Sequence, residues 1–501
     1  MSQTATLHDH ARWLGAATPA EADGRRVVTG LADDSRRVQP GDLFFARRGA
    51  EVDGARFVAQ ATMAGAIGVV ADRALAADCP VLRVEDIDAA LVIAADRFFD
   101  APQAGLSLVA ITGTKGKTTT AHVIAGALRA AGLRTAVFGT IQHELGDGTV
   151  APAANTTPGV LELRRLLAAA RDAGATAVVM EVSSHALDQG RTRGLSFAVA
   201  VFTNLASDHL DYHHTLEAYE AAKRSLFAGL GADASAIGNA DDPAWPRMRA
   251  ATAARTLGFG FGEDAALRAD DVRLSLGATH CLLHFPDGDI RTVQTHLVGR
   301  HNLLNLMAAV GAAEALGIDR DQALAGAAAV HDIPGRLQRV GDSRELHVFV
   351  DYAHTEEALR QVLGFLREVG ADPLTCVVGC GGNRDRTKRP RMAAVAAELS
   401  DRAFFTSDNP RTEDPERILD DMFEGLEDAA LLQKSARVPD RRAAIRRAVI
   451  EAPTGATVLV AGKGHERYQI VGKERLPFDD VTEVEAALEQ RECTSGPTPG
   501  G

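Results

Sequence analysis

Apolar strands alternating with helices along most of its length assign this chain to the α/β class. Three domains are expected: a small N-terminal α/β domain, a central P-loop ATPase-type parallel sheet, and a C-terminal Rossmann-like doubly wound domain. Three observations lead there. "LSLVAITGTKGKTTTAHVIAGALRAAG" runs from an apolar strand through a glycine turn into a helix, the setting in which backbone N–H groups and a helix N-terminus cradle phosphate. Near-continuous apolar runs follow in "RTAVFGT", "ATAVVMEVSS" and "FAVAVFTN", as in a parallel sheet covered on both faces. The last third repeats the alternation in "ELHVFVDYAH", "LTCVVGCGG", "RAFFTSDNP" and "ATVLVAGKGHE". Each of these strands enters a polar loop, where doubly wound sheets bind ligands.

Taken in chain order, "DLFFARRG", "GAIGVVAD" and "CPVLRVED" read as strands and "LVIAADRFF" as a helix, closing a first domain at 1–104 beside the "DAPQAG" linker. The central domain spans 105–335, ending at "HDIPGRLQRV", and the third spans 336–492. The tail 493–501, "CTSGPTPGG", is expected to be disordered. A chain of 501 residues is too long for one core. Its 46% hydrophobic and 24% charged content are those of a globular protein, and a net charge of −13 argues against nucleic-acid binding. No secretion signal is expected at the N-terminus, and the apolar runs are too short to insert in a membrane, so the expected location is cytoplasmic. Five scattered cysteines read as reduced thiols.

The glycine turn departs from the usual P-loop. Its spacing is the shorter G-x-x-G-K-T, with Gly113 and Gly116 ahead of Lys117 and Thr118. Lys117 is placed to reach terminal phosphates, and the Thr118 hydroxyl to bind Mg²⁺. Glu181 follows the apolar "AVVM". Taken alone, a salt-bridged structural glutamate is the better reading, but beside a phosphate loop a cation is favoured. Asp208, His209, Asp211, His213 and His214 crowd a loop ahead of a helix carrying Lys223. They suit Mg²⁺ better than zinc, and Asp211 to His214 read mostly as helix caps. Asn302 and Asn305, at i and i+3 on the next helix, would contact a nucleotide or merely cap. Arg336 sits at a domain boundary, Asp351 and His354 follow a strand, and "GCGGNRDRTKRPR" carries five basic residues. That run reads as a solvated charge run, a nucleic-acid patch, or a site for phosphate or carboxylate.

"TGTKGKTTT", "NTTP", "MEVSSHAL", "TNLASDHLDYH", "GRHNLLN", "DYAHTEEAL", "DNPRTEDP" and "AGKGHE" together resemble the Mur ligases of peptidoglycan synthesis, and within that family the ligases that add the third peptide residue. The resemblance runs from about Asp34 to Phe478. It explains the short loop and implies ATP-dependent amide formation: ATP phosphorylates the D-Glu carboxylate of UDP-MurNAc-L-Ala-D-Glu, and an incoming amine attacks the acyl phosphate. It implies ATP contacts at Gly113, Thr114, Lys115, Gly116, Lys117, Thr118, Thr119, Asn302, Arg336, Asp351 and His354. Thr118, Glu181 and His209 match the Mg²⁺ shell, with Lys223 added as a carbamate (N6-carboxylysine). From spacing alone, Lys223 reads as a surface lysine. Catalytic roles would fall on Lys117, Lys223, His209 and Glu181. Ser35, Asn155, Thr156, Thr157, Ser183, Gln189 and Arg191 match the UDP-sugar–dipeptide contacts of a UDP-sugar-binding first domain. Arg384, Asp408, Asn409, Pro410, Arg411, Gly462 and Glu466 match the amino-acid pocket.

The resemblance implies meso-diaminopimelate as the added amino acid, with L-lysine or L-ornithine as the alternatives, and small-molecule partners acting on a monomer. Two departures stand out: Lys115 replaces a common asparagine, and the loop "RRGAEVDG" is non-standard, so Ala50, Glu51 and Val52 are held loosely as uracil contacts. A folylpolyglutamate synthetase-like ligase would share the loop, but lacks the N-terminal domain and "DNPR". A non-catalytic ATP-dependent switch would have no need of Glu181, His209 and Lys223 together.

Overall fold

The computed structural model describes residues 5–49, 52–341 and 345–495. By internal contact the chain forms two units, one of residues up to 268 with 284–289 and 304–327, the other of 269–283, 290–303 and the residues from 328 on.

The first unit begins with a parallel sheet of Gly30–Ala32, Asp42–Phe45, Gly68–Ala71 and Val81–Arg83, in chain order. Leu43, Phe45, Val70 and Leu82 pack on Ala90, Leu91 and Ala94 of the helix Ile87–Phe98, in one apolar cluster that also takes in Val160 and Leu161. That shared core explains why the N-terminal residues stay with the central sheet. Polar ties reinforce it. Arg164, fully buried, donates from Nε to Asp96 at 3.0 Å and from Nη2 to the Arg193 carbonyl at 2.6 Å. The Gln103 side chain donates to the Gly194 carbonyl at 3.1 Å and accepts from Ser196 N at 3.0 Å, pinning the linker.

In the central sheet Arg255–Gly260, Ser235–Asn239, Val199–Phe202, Ser107–Thr112, Ala177–Glu181 and Thr135–Phe138 lie side by side, all parallel. The expected all-parallel sheet needs one correction. Gln142–Glu144 and Val150–Pro152 add an antiparallel flap at the edge. Gly146 and Gly148, with φ of 94° and 91°, supply the left-handed conformations its reversal requires.

The second unit's sheet runs Gln338–Val340, Leu346–Asp351, Ala456–Ala461, Leu374–Cys380, Arg402–Ser407, Ser435–Arg437. All pairs are parallel except the first. Register brings Asp351 beside Ala461 and Cys380 beside Ser407, so the four loops quoted above leave one edge of the sheet together. A hairpin, Tyr468–Val471 with Glu474–Pro477, follows the "GKGHE" loop. The last helix, Asp480–Ser495, absorbs Cys493 to Ser495, so the disordered tail expected from 493 is corrected there. No helix breaker occurs before Gly496 and Pro497, and 496–501 lie outside the described residues.

Arg441 and Asp480 form a fully buried bidentate pair at 2.7 Å on each arm, joining two helices. Arg441 also donates to the Ala461 carbonyl at 3.0 Å, at a strand end. Removing one partner strands a buried charge. Asp480→Ala is therefore expected to lower the unfolding free energy by about 3–5 kcal/mol, read as an earlier urea transition. A midpoint equal to wild type would contradict this account of the pair.

Candidate active site

The first unit carries the glycine loop between the strand Ser107–Thr112 and the helix Lys117–Ala130. Gly113 and Gly116 have φ of 151° and 83°, and a Cβ on Gly113 would meet the Thr203 hydroxyl at 1.9 Å. Only glycine allows the loop to lie this close to its neighbours. Asn204 holds the loop from the side: its Oδ1 accepts from Lys115 N at 2.9 Å, and its Nδ2 donates to the Lys115 carbonyl at 3.1 Å. Its own carbonyl accepts from Thr114 N at 2.9 Å. The Lys115 side chain is exposed. Thr119 is buried on the helix's first turn.

Two lysines converge on one oxygen. Lys117 Nζ donates to the Gly113 carbonyl at 2.9 Å and to that of Thr114 at 3.0 Å, and Lys223 Nζ donates to Gly113 at 2.9 Å. Lys223 is 1% exposed, which corrects the surface lysine that spacing suggested. On the helix Leu216–Ala228 it shares the inward stripe of Tyr219 and Phe227. Burial, and then the neighbouring Lys117 charge, push its amine well below the ordinary lysine range.

Glu181, 2% exposed, is the other charged group here. Thr118 Oγ1 donates to both carboxylate oxygens at 3.0 Å, Thr140 N to Oε1 at 2.8 Å and Thr140 Oγ1 to Oε2 at 3.1 Å. All these donors are neutral, so among the described residues the salt-bridged alternative for Glu181 is not what forms. A buried carboxylate among neutral donors at a phosphate loop, with a hydroxyl at its side, is a donor set that fits a hard divalent cation. His209 makes no hydrogen bond to Thr118 or Glu181. It stands, half-exposed, with its ring 4.9 Å from that of His185 and 6.2 Å from that of Tyr219. Asp211 and His214 are exposed and His213 is buried.

The substrate-side residues divide in two. Thr157 donates to the Glu181 carbonyl at 2.9 Å and accepts from Ser183 N at 3.0 Å, while Thr156 meets Thr140 at 3.0 Å. Arg191 joins them through the Thr157 carbonyl at 2.8 Å and grips Gln189 Oε1 at 2.7 Å. Tyr212, whose role the sequence did not reveal, accepts from Gln189 and donates to Asp188. Separately, a cavity of about 460 Å³ is lined by Asp34, Arg37, Phe99, Asn155 and Glu162. Ser35 adjoins it in sequence, but its hydroxyl turns to Gln60 at 3.1 Å. Val52 is exposed, and Ala50 and Glu51 lie outside the described residues.

Asn302 Nδ2 donates to the Val298 carbonyl, just ahead of its own helix, at 2.9 Å, and Asn305 accepts from Thr120 at 3.0 Å.

In the second unit Asp351 accepts from Leu337 N at 2.6 Å and Ala353 N at 2.8 Å. It thus fixes the turn carrying Arg336, whose guanidinium lies 5.5 Å from the Tyr352 ring centroid. His354 and His465 both face Tyr352. Burial raises the Asp351 pKa and, with Arg336 adding to it, lowers that of His465 to about 4. The basic run resolves into separate tasks. Arg389, fully buried, binds Glu413 and Asp421, Arg386 binds Asp421, and Lys388 donates to the His354 carbonyl. This corrects the solvated reading for Arg389, whereas Arg386 pairs at the surface with most of its side chain exposed. Arg384 stays exposed with no ion pair among the described residues.

The "DNPR" loop docks on the hairpin. Arg411, at φ 53°, exchanges backbone bonds with Ile470 and Gly472, and Gln469 donates to the Asp408 carbonyl at 2.7 Å. Asn409 Nδ2 donates to Glu466 at 3.0 Å. Pro410 is buried, and Gly462, at φ 115°, donates to the Asp351 carbonyl at 3.1 Å. Arg411 Nη1 binds the Gly382 and Asn409 carbonyls at 2.9 and 3.3 Å, and no carboxylate pairs with it among the described residues. Glu413 is occupied by Arg389 instead.

Residues 27–98 match the family described as Mur ligase family, catalytic domain, residues 111–313 the Mur ligase middle domain, and residues 335–464 the Mur ligase, glutamate ligase domain. A Geobacillus kaustophilus protein named UDP-N-acetylmuramoyl-L-alanyl-D-glutamate--2,6-diaminopimelate ligase is 43% identical over 474 residues, covering 93% of this chain and 96% of that protein. A solved structure of a ligase with that name aligns at a TM-score of 0.70 and 33% identity, covering 98% of this chain and 100% of the other. A Mycobacterium tuberculosis folylpolyglutamate synthase complexed with ADP and AMPPCP shares the fold at a TM-score of 0.57 and 19% identity, covering 82% and 96%.

Asn204 holds the loop through two side-chain hydrogen bonds, each worth about 0.5–1.5 kcal/mol. Asn204→Ala is expected to weaken ATP about tenfold in KM, with the KM of the other substrates nearly unchanged. An unaltered KM for ATP would contradict this role.

Proposed function

Since this chain belongs to the Mur ligase family of ATP-dependent, amide-forming ligases, we propose that it joins meso-diaminopimelate to UDP-MurNAc-L-Ala-D-Glu in cytoplasmic peptidoglycan precursor synthesis, acting as a monomer. Its three parts take the sugar nucleotide (1–104), ATP (105–335) and the amino acid (336–492). One observation carries the choice of amino acid: among the described residues Arg411 presents a guanidinium with carbonyl partners alone, on the loop that carries Asp408 and that Asn409 ties to Glu466. The far end of diaminopimelate carries a carboxylate and an ammonium, and this pocket offers a partner to each. Relatives named for that substrate support the same reading.

The chemistry brings anions together. Lys117 and the loop amides neutralise the γ-phosphate as it passes to the D-Glu carboxylate, and Arg191 with Gln189, Ser183, Thr156 and Thr157 orients that acceptor. Ser35 and Asn155 hold the sugar-nucleotide side. The amine of diaminopimelate then attacks the acyl phosphate, and phosphate leaves from the tetrahedral intermediate. Thr118 and Glu181 would hold Mg²⁺, with His209 assigned to the same shell, and the ion would supply charge neutralisation at the phosphates. Asn302, Arg336 and His354 are assigned to the nucleotide, and Asp351 acts by fixing the Arg336 turn.

Lys223 has a separate task. Burial and a neighbouring cation both favour the neutral form of the amine, which is the nucleophilic one. Its lone pair attacks the carbon of CO₂ and a proton is lost to solvent, leaving a carbamate. The carbamate would give the phosphate loop a carboxylate-like metal ligand in addition to Glu181 and Thr118. Lys223→Ala is expected to abolish nearly all turnover, and an added short carboxylic acid to restore part of it. Near-normal turnover of the alanine variant would end the carbamate account.

The substrate is tested with a panel of amino acids in a phosphate-release assay. Losing a hydrogen bond to a charged group costs roughly 1.5–3 kcal/mol, so the wild type should prefer diaminopimelate over lysine and ornithine by about ten- to a hundredfold in kcat/KM. Arg411→Ala should lose this preference, mainly through KM. A wild type that prefers lysine or ornithine would overturn the assignment.

A further inference from the structure

Lys463, in the loop after the strand Ala456–Ala461, has no place in the chemistry above, yet it is fully buried. Its Nζ lies 3.3 Å from Asp408 Oδ1, 3.3 Å from Asn409 Oδ1 and 3.3 Å from Glu466 Oε2. The Tyr468 ring covers it at 5.5 Å. All three polar partners belong to the amino-acid pocket, and Asn409 closes the cluster by donating to Glu466 and accepting from Ile470 N at 2.9 Å. Asp408 and Glu466 are themselves only 16% and 20% exposed. Two carboxylates are thus gathered around one ammonium that solvent does not reach.

The charges decide what this does. Two carboxylates left to themselves would repel each other and draw in a second cation. With Lys463 between them they present one net negative charge, enough for one ammonium. Arg411 and the exposed Arg384 supply positive charge for a carboxylate. We propose that Lys463 is a positioning residue that sets this charge balance, and so makes the pocket prefer an amino acid whose distal end is a zwitterion over one whose distal end is only a cation. The inference rests on the substrate reading above and deepens it. Lys463 touches no reacting atom. It acts by fixing the geometry and net charge of Asp408 and Glu466.

The test is the ratio of kcat/KM for diaminopimelate to that for lysine, in the full-length enzyme. Lys463→Met keeps the volume of the stem and removes the charge. The ratio should fall about tenfold or more, through the KM for the amino acid, while the KM values for ATP and the sugar nucleotide stay within about twofold. Asp408→Asn, which leaves the buried lysine in place, should move the ratio the opposite way by making the pocket more positive. The double variant Lys463→Met, Asp408→Asn should return most of the wild-type ratio. A merely structural lysine would instead raise every KM together and would not be rescued by the second change. An unmoved ratio in Lys463→Met, or shifts of the same sign in the two single variants, would overturn the proposal. If Lys463→Met does not fold, the sign of the Asp408→Asn shift decides. A wild type that prefers lysine defeats the substrate reading itself, whereas a wild type that prefers diaminopimelate with an unmoved ratio defeats this inference alone.

Discussion

Two amines share the carbonyl oxygen of Gly113, and the arrangement of the first unit follows from that. Lys117 and Lys223 each donate to it at 2.9 Å, one from the loop's own helix and the other from a helix more than a hundred residues further on. Two ammonium groups on one oxygen repel each other, and only one of them is buried completely. Burial, and then the Lys117 charge, push the Lys223 amine well below the ordinary lysine range. Gly113 must lack a side chain because a Cβ there would meet the Thr203 hydroxyl, and Asn204 holds the loop from outside. Glu181 completes the setting with a carboxylate that, among the described residues, only neutral groups bind.

The second unit solves the complementary problem. It presents a mixed-charge pocket at the strand ends of a parallel sheet, where loose carboxylates and guanidiniums would otherwise pair with one another. Buried cations prevent this. Arg389 occupies Glu413 and Asp421, Arg441 occupies Asp480, and Lys463 sits among Asp408, Asn409 and Glu466. Arg411 is left facing carbonyls. The hairpin Tyr468–Val471 and Glu474–Pro477 then fixes the loop through backbone bonds to Arg411.

Much of this was legible in the amino-acid order, because strands buried on both faces must be apolar and their loops must carry the polar groups. The glycine loop, Glu181 and the "DNPR" and "GKGHE" stretches stand where that logic puts them. Lys223 was misjudged by its polar neighbours, although its spacing from Tyr219 and Phe227 is that of a buried helical stripe. The clasp of Lys115 by Asn204 joins residues 89 apart, and the Arg441–Asp480 pair residues 39 apart. Such pairings depend on tertiary placement and leave no local pattern. The basic run after Gly382 misled for the same reason: its acidic partners lie some 24 to 35 residues downstream. The antiparallel flap was missed because its strands are short and half-exposed, so they lack an apolar run.

The central claim is that Lys223 takes up CO₂ as a carbamate. It is tested most directly by ¹³C NMR of the enzyme equilibrated with ¹³C-bicarbonate near neutral pH, beside a Lys223→Arg control. The account predicts a carbamate carbon resonance in the wild type that the arginine variant lacks. No such resonance, or one equally strong in both proteins, would contradict it.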